Sequence, residues 1–137
     1  MDIQIHQLDA QYPIRDQLQT LVRAVAEDIH LQARSCDVIF VDDHTLKQMH
    51  ETYLQDATFT DVMTFDLGDT EVEGEIYISL DRARENARTY QAGITKEIMR
   101  LVIHGLLHLK GYKDKSPTDR QQMKQEEDLL IDKFVSQ

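Results

Sequence analysis

Ile3, Ile5 and Leu8 alternate with polar residues at the start of the chain, the two-residue period of a half-buried strand. From about Ile14 to Leu31 the period lengthens, and Leu18, Leu21, Val22, Val25 and Ile29 recur at helical spacing. Strand and helix then repeat. Asp37-Val38-Ile39-Phe40-Val41 is a short apolar run rich in β-branched residues, and Asp42 or Asp43 behind it is suited to cap a helix running through Leu46, Met49 and Tyr53. Val62-Met63-Thr64-Phe65, a turn around Gly68-Asp69, and Glu75-Ile76-Tyr77-Ile78-Ser79 read as two strands joined by a polar loop. From Leu80 onward the pattern is helical. It breaks near Gly93, at Gly111, and at Ser116-Pro117, where Ser116 caps and Pro117 occupies the first turn. The pattern predicts an α+β fold, a small mixed β-sheet of about four strands packed with about five helices. Residues 1–137 contain no repeat, low-complexity tract or Gly/Ser-rich linker, so a single domain is expected.

Composition narrows the class. A chain of 137 residues is long enough to close one hydrophobic core without disulfides. No apolar run approaches the length of a membrane span. The opening Met1-Asp2-Ile3-Gln4-Ile5-His6 lacks the basic start and unbroken apolar stretch of a signal peptide, and a cytoplasmic location is expected. Cys36, the single cysteine, heads an apolar strand and is expected to be buried. The formal net charge of −10 argues against a generic nucleic-acid binder, because non-specific affinity comes from lysine and arginine neutralising phosphates; any nucleic-acid role needs a local site. The acids are dispersed, as on a solvated surface.

The chemistry lies in one segment, Ile103-His104-Gly105-Leu106-Leu107-His108-Leu109-Lys110-Gly111-Tyr112-Lys113-Asp114. Residues four apart on a helix lie about 40° apart in azimuth and about 6 Å along the axis, so the imidazoles of His104 and His108 project side by side and can share a metal ion. Gly111 is placed to end the helix in a left-handed turn that returns Asp114 as a third ligand. Two histidines and a carboxylate leave a fourth tetrahedral position open, the arrangement of a catalytic zinc site. The plainer alternatives are a chance HxxxH pair on an amphipathic helix, and a surface ion pair of Asp114 with Lys113 or Lys115. A zinc peptidase of the HExxH type needs a glutamate where this chain has Gly105. Glu97 lies one helical repeat upstream on the histidine face and is read as a solvated first-turn residue that favours the helix dipole. His6, His30, His44 and His50 have no ligand spacing and are read as surface residues.

The segment from His104 to Tyr112 resembles the HGxLHLxGYDH signature of the YbeY family of metal-dependent endoribonucleases, which act in rRNA maturation and ribosome quality control. Thr60-Asp61-Val62-Met63-Thr64-Phe65 is similar to that family's PTDVLSF segment, and Gly74-Glu75-Ile76-Tyr77-Ile78-Ser79 to its GDIxIS strand. The resemblance implies a zinc-hydrolase-like metal helix binding one Zn2+ through His104, His108 and Asp114. It also implies a single-strand-specific endoribonuclease of 16S rRNA processing, with RNA and small ribosomal subunit components as partners, and neither membrane nor DNA. It places Thr60, Asp61 and Ser79 along a substrate groove, although Thr60 and Asp61 are equally suited to bond nearby backbone and Ser79 to cap the next helix. Two departures stand out. Where the family has Asp-His the chain has Lys113-Asp114, which makes the third ligand an aspartate. Where the family has an arginine after a tyrosine the chain has Tyr53-Leu54, so that arginine's contact falls to another residue, with Arg82, Arg84 and Lys113 as candidates. Two rivals remain open: a metallo-hydrolase of peptides or small phosphoesters, and a non-catalytic ribosome assembly factor stapled by zinc.

Overall fold

The structure, a computed structural model, describes residues 1–54 and 60–135. Among the described residues the chain forms β1 (Asp2–His6), α1 (Arg15–Asp28), β2 (Ala33–Val41), α2 (Asp43–Leu54), β3 (Val62–Asp66), β4 (Val72–Ser79), α3 (Leu80–Thr89), α4 (Ile94–Lys110) and α5 (Pro117–Phe134). The strands lie in the order β1-β2-β4-β3; β1, β2 and β4 are parallel and β3 runs antiparallel to β4. This is the expected α+β architecture with a mixed sheet.

Register explains which face becomes the core. Ile3 and Ile5 pair with Cys36 and Val38, while Val38 and Phe40 pair with Ile76 and Ile78, so one face of the sheet is apolar across three strands. Onto it α1 packs Leu18, Leu21, Val22 and Val25, and α4 packs Ile98, Leu101, Val102 and Leu106. Burying each such side chain contributes about 1.5–3 kcal/mol. The opposite parity of β3 and β4 carries Met63, Phe65 and Tyr77, and α2 covers it, setting Tyr53 edge-on to Phe65 at 5.4 Å and Phe65 edge-on to Tyr77 at 5.8 Å. Cys36 is buried as expected; burial, and then the charge of Asp37, push its thiol up to about 12, which makes it unreactive.

Two strands start earlier than the hydrophobic pattern marks. β2 begins at Ala33 rather than Asp37, and β4 at Val72 rather than Glu75, because Ala33 pairs with Val72 and Cys36 with Gly74 through backbone bonds that apolar periodicity does not record.

The position of α4 on the sheet is set by Gly105. A Cβ there would lie 2.7 Å from Ile76 Cγ2, so the helix rides this close to β4 only with glycine at the contact. The face bearing Arg100 and His104 is consequently turned toward α5, which seats Met123, Glu127, Leu130 and Ile131 at helical spacing in its buried stripe.

Candidate metal centre

His104 and His108 stand one turn apart on α4, with ring centroids 4.7 Å apart. The helix ends just beyond them as anticipated: Gly111 has φ +119°, its N–H donates to His108 O at 3.0 Å, and the Tyr112 N–H donates to Leu107 O at 3.0 Å. The same turn orients a candidate ligand, because the Tyr112 carbonyl accepts from His108 Nδ1 at 3.1 Å. Asp114 then returns, its Oδ2 lying 3.3 Å from His108 Nε2 and 3.7 Å from His104 Nε2. The far end of the loop is fixed too. Ser116 Oγ accepts from Asp119 N at 3.0 Å to cap α5, and Arg120 donates to Asp114 O and Lys115 O at 3.4 and 2.9 Å.

These three side chains fit a metal ion on two counts. The ligand atoms are separated by 3.1, 3.3 and 3.7 Å, and the edge of a zinc tetrahedron with bonds near 2.0–2.2 Å is about 3.3 Å. The tautomers agree as well. A carbonyl only accepts, so His108 Nδ1 carries the proton; Glu127 is an ionised acceptor, so His104 Nδ1 donates to it at 2.8 Å. Both Nε2 atoms are thereby left as lone pairs facing each other at 3.1 Å, an arrangement that a cation between them can satisfy. Burial, then the neighbouring His104, hold the His108 imidazole below its ordinary pKa and so in the neutral form that ligates.

Behind the ligands runs a chain of buried charge that periodicity did not reveal. Glu127 Oε1 accepts from Arg100 at 2.7 Å, and Arg100 grips Glu97 with two bonds of 2.8 and 2.6 Å. Asn86 bridges Glu97 to Asp61 at 3.0 and 3.1 Å. Glu97 is only 4% exposed, which corrects its reading as a solvated first-turn residue: Asn86 of α3 bonds it, and Arg100 supplies the countercharge. Burial raises the Glu127 carboxyl, but the bonds from His104 and Arg100 outweigh it and hold the group below its usual range. Arg100 is held above its usual value, first by Glu97. A signal was present in the sequence. Glu97, Arg100, His104 and His108 share one helical face, and Glu127 is an acid in an otherwise apolar stripe.

The other expected residues are placed as follows. Asp61 joins the far end of this network, with its carbonyl accepting from Ser79 N at 3.0 Å. Thr60 is half-buried and its hydroxyl donates to Val62 O at 3.4 Å. Ser79 is fully buried and caps α3, accepting from Arg82 N at 3.1 Å. Arg82 pairs with Asp43, Arg84 with Asp9 and Asp81, and neither they nor Lys113 line the cavity beside the metal centre. That cavity, about 490 Å³, is bordered by His104 and Asp114 and carries Lys96, Arg100, Arg120 and Lys124. His6, His30 and His44 are exposed and His50 half-buried. Among the described residues no helix is long and apolar enough to cross a membrane.

A family model for Endoribonuclease YbeY matches residues 2–135. The Endoribonuclease YbeY of Flavobacterium psychrophilum is 48% identical over 98 residues, covering 70% of this chain and 69% of that protein. Those of Cytophaga hutchinsonii and Chlorobium phaeovibrioides are each 35% identical, over 127 and 132 residues, covering 90% and 96% of this chain and 89% of either protein. The solution structure of a Thermotoga maritima protein superposes with a TM-score of 0.65 at 27% identity, covering 98% of this chain and 92% of that one.

Proposed function

The chain belongs to the YbeY family of endoribonucleases, and we propose that it hydrolyses single-stranded RNA with one zinc ion held by His104, His108 and Asp114. The observation that carries this reading is the facing pair of Nε2 lone pairs, completed by Asp114 Oδ2 at tetrahedral edge distances. A divalent ion held there by His104, His108 and Asp114 would supply polarisation of a phosphoryl oxygen and a water nucleophile near neutral pH. The protein does the rest. Glu127 and the Tyr112 carbonyl fix the two imidazoles so that both Nε2 atoms point to one place. Asp114 adds a negative charge, which lowers the net charge of the centre relative to a third histidine. Lys96, Arg120 and Lys124 border the adjoining cavity and supply phosphate contacts in a chain whose net charge of −10 would otherwise repel RNA. They take over the role that the arginine absent at Leu54 plays in the family.

The setting we propose is the cytoplasm, with 16S rRNA maturation and quality control of the small ribosomal subunit as the task and DNA not a substrate; support comes from the family motifs. The peptidase alternative is disfavoured because position 105 faces Ile76 on β4, where no side chain could serve as base. A purely structural zinc staple is disfavoured by a donor set of three side chains among the described residues and by the cavity next to it. Purified protein is expected to contain one zinc and to cut single-stranded RNA. Chelation, His104→Ala and His108→Ala should each lower cleavage by more than about a hundredfold. Cleavage that survives all three treatments would refute the proposal.

A further inference from the structure

We infer that the cavity beside the metal centre is a nucleobase pocket, which seats one unpaired residue of the RNA next to the phosphate to be cut. The choice of RNA as occupant rests on the nuclease reading above. Bare phosphate binding would need only donors and charge, yet this cavity of about 490 Å³ has a carbon floor, made by Met123 and Ile131, which are 2% and 9% exposed. Its size lies in the range of small-molecule pockets, about 300–1,000 Å³. At the mouth stands Tyr90, an aromatic ring 71% exposed, of the kind on which single-stranded bases stack. One wall is the Arg100–Glu127 pair, held rigid by its own hydrogen bond.

The charge agrees with this occupant. Four cations border the cavity against three carboxylates, a local excess of positive charge in a chain of net charge −10, before any metal is counted. His104 and Asp114 lie at its margin, so a nucleotide whose base enters the pocket has its phosphate close to the metal centre. The pocket also gives selectivity for single strands a physical origin. A base inside a stem is stacked and paired, and to enter the cavity it must first leave the stack.

The test uses full-length zinc-loaded protein with labelled methionine and isoleucine methyl groups, titrated with a single-stranded RNA hexamer. The controls are the hexamer paired to its complement and a set of hexamers with one abasic residue at each position in turn. The Met123 and Ile131 methyl signals are expected to shift with the single strand and stay still with the duplex. One abasic position should remove the shift and weaken binding about tenfold. Ala92→Trp, at the exposed mouth, should weaken binding of the intact hexamer similarly, remove the abasic effect and leave zinc content unchanged. Silent floor methyls in the presence of bound RNA, equal binding of every abasic hexamer, or no binding of the hexamer would overturn the pocket. Cleavage is scored separately. Floor shifts without cutting would sink the nuclease reading and keep the pocket; cutting with silent methyls would do the reverse.

Discussion

Helix α4 has two seams built on different principles. Against α1 and the sheet it buries Ile98, Leu101, Val102 and Leu106 beside Leu18, Val22, Val38 and Ile76, a contact made of carbon alone. Against α3 and α5 it buries Glu97 and packs Arg100 and His104 onto Glu127, each polar atom paired with another. In the first seam stability follows from area removed from water, and any side chain of fitting volume serves. In the second, each group is tolerated only because its partner is present, and exchanging one atom type for another changes what the neighbours can do. The carbon seam holds the helix; the polar seam sets the tautomer of a candidate metal ligand.

The largest effect should come from the carbon seam and spare the site. Leu18 is wholly buried on α1, and Leu18→Ala should destabilise the fold by about 2–5 kcal/mol. Urea unfolding measures this, while a competition titration with a chromophoric chelator on the folded protein should show zinc affinity within about twofold of wild type. Affinity that falls in step with stability would mean the seams are not separate.

Glu127→Gln should do the opposite. The carboxylate accepts from Arg100 on one oxygen and His104 on the other, whereas an amide has one accepting oxygen. If that oxygen stays with Arg100, the amide N–H faces His104 Nδ1 and drives the proton to Nε2, where the metal must bind. Zinc affinity should fall about 10–100-fold. In metal-free protein, nitrogen chemical shifts of His104 should report the exchanged tautomer, a signature that simple loosening of the helices would not give. Unchanged tautomer and affinity would reduce Glu127 to packing.

The two seams also differ in how far they can be read from sequence. Residues such as Leu18, Val22 and Val25 announce a buried face by spacing alone, because apolar burial is a property of one element at a time. The candidate ligands' arrangement was legible for a similar reason: HxxxH followed by a helix-ending glycine is a local pattern, and α4 with Gly111 realises its geometry. Glu97 was not, since a charged residue in a first turn looks solvated until the helices that cover it are placed. Arg100 is illegible for the same reason, and of the candidates Arg82, Arg84 and Lys113 for the missing arginine's contact the two arginines are bound to acids away from the cavity. Charge partners such as Glu127, 23 residues from His104 in sequence, belong to tertiary structure.

The smallest effect is expected at the exposed corner of the site. Asp114 has a side chain 45% exposed, against 19% and 24% for His104 and His108, so a longer group there displaces nothing that is packed. Its backbone position is nevertheless held, since Tyr112 O is engaged by His108 on one side and Arg120 bonds the 114 and 115 carbonyls on the other. Asp114→His therefore presents a neutral nitrogen from nearly the same place, exchanging one charge for a softer donor. Zinc affinity should change less than about tenfold, while Asp114→Ala, which leaves only two ligands, should lose about 10–100-fold. The same chelator titration ranks the three proteins. Equal affinity in all of them would remove Asp114 from the ligand set and restore its alternative role, a surface carboxylate between two lysines.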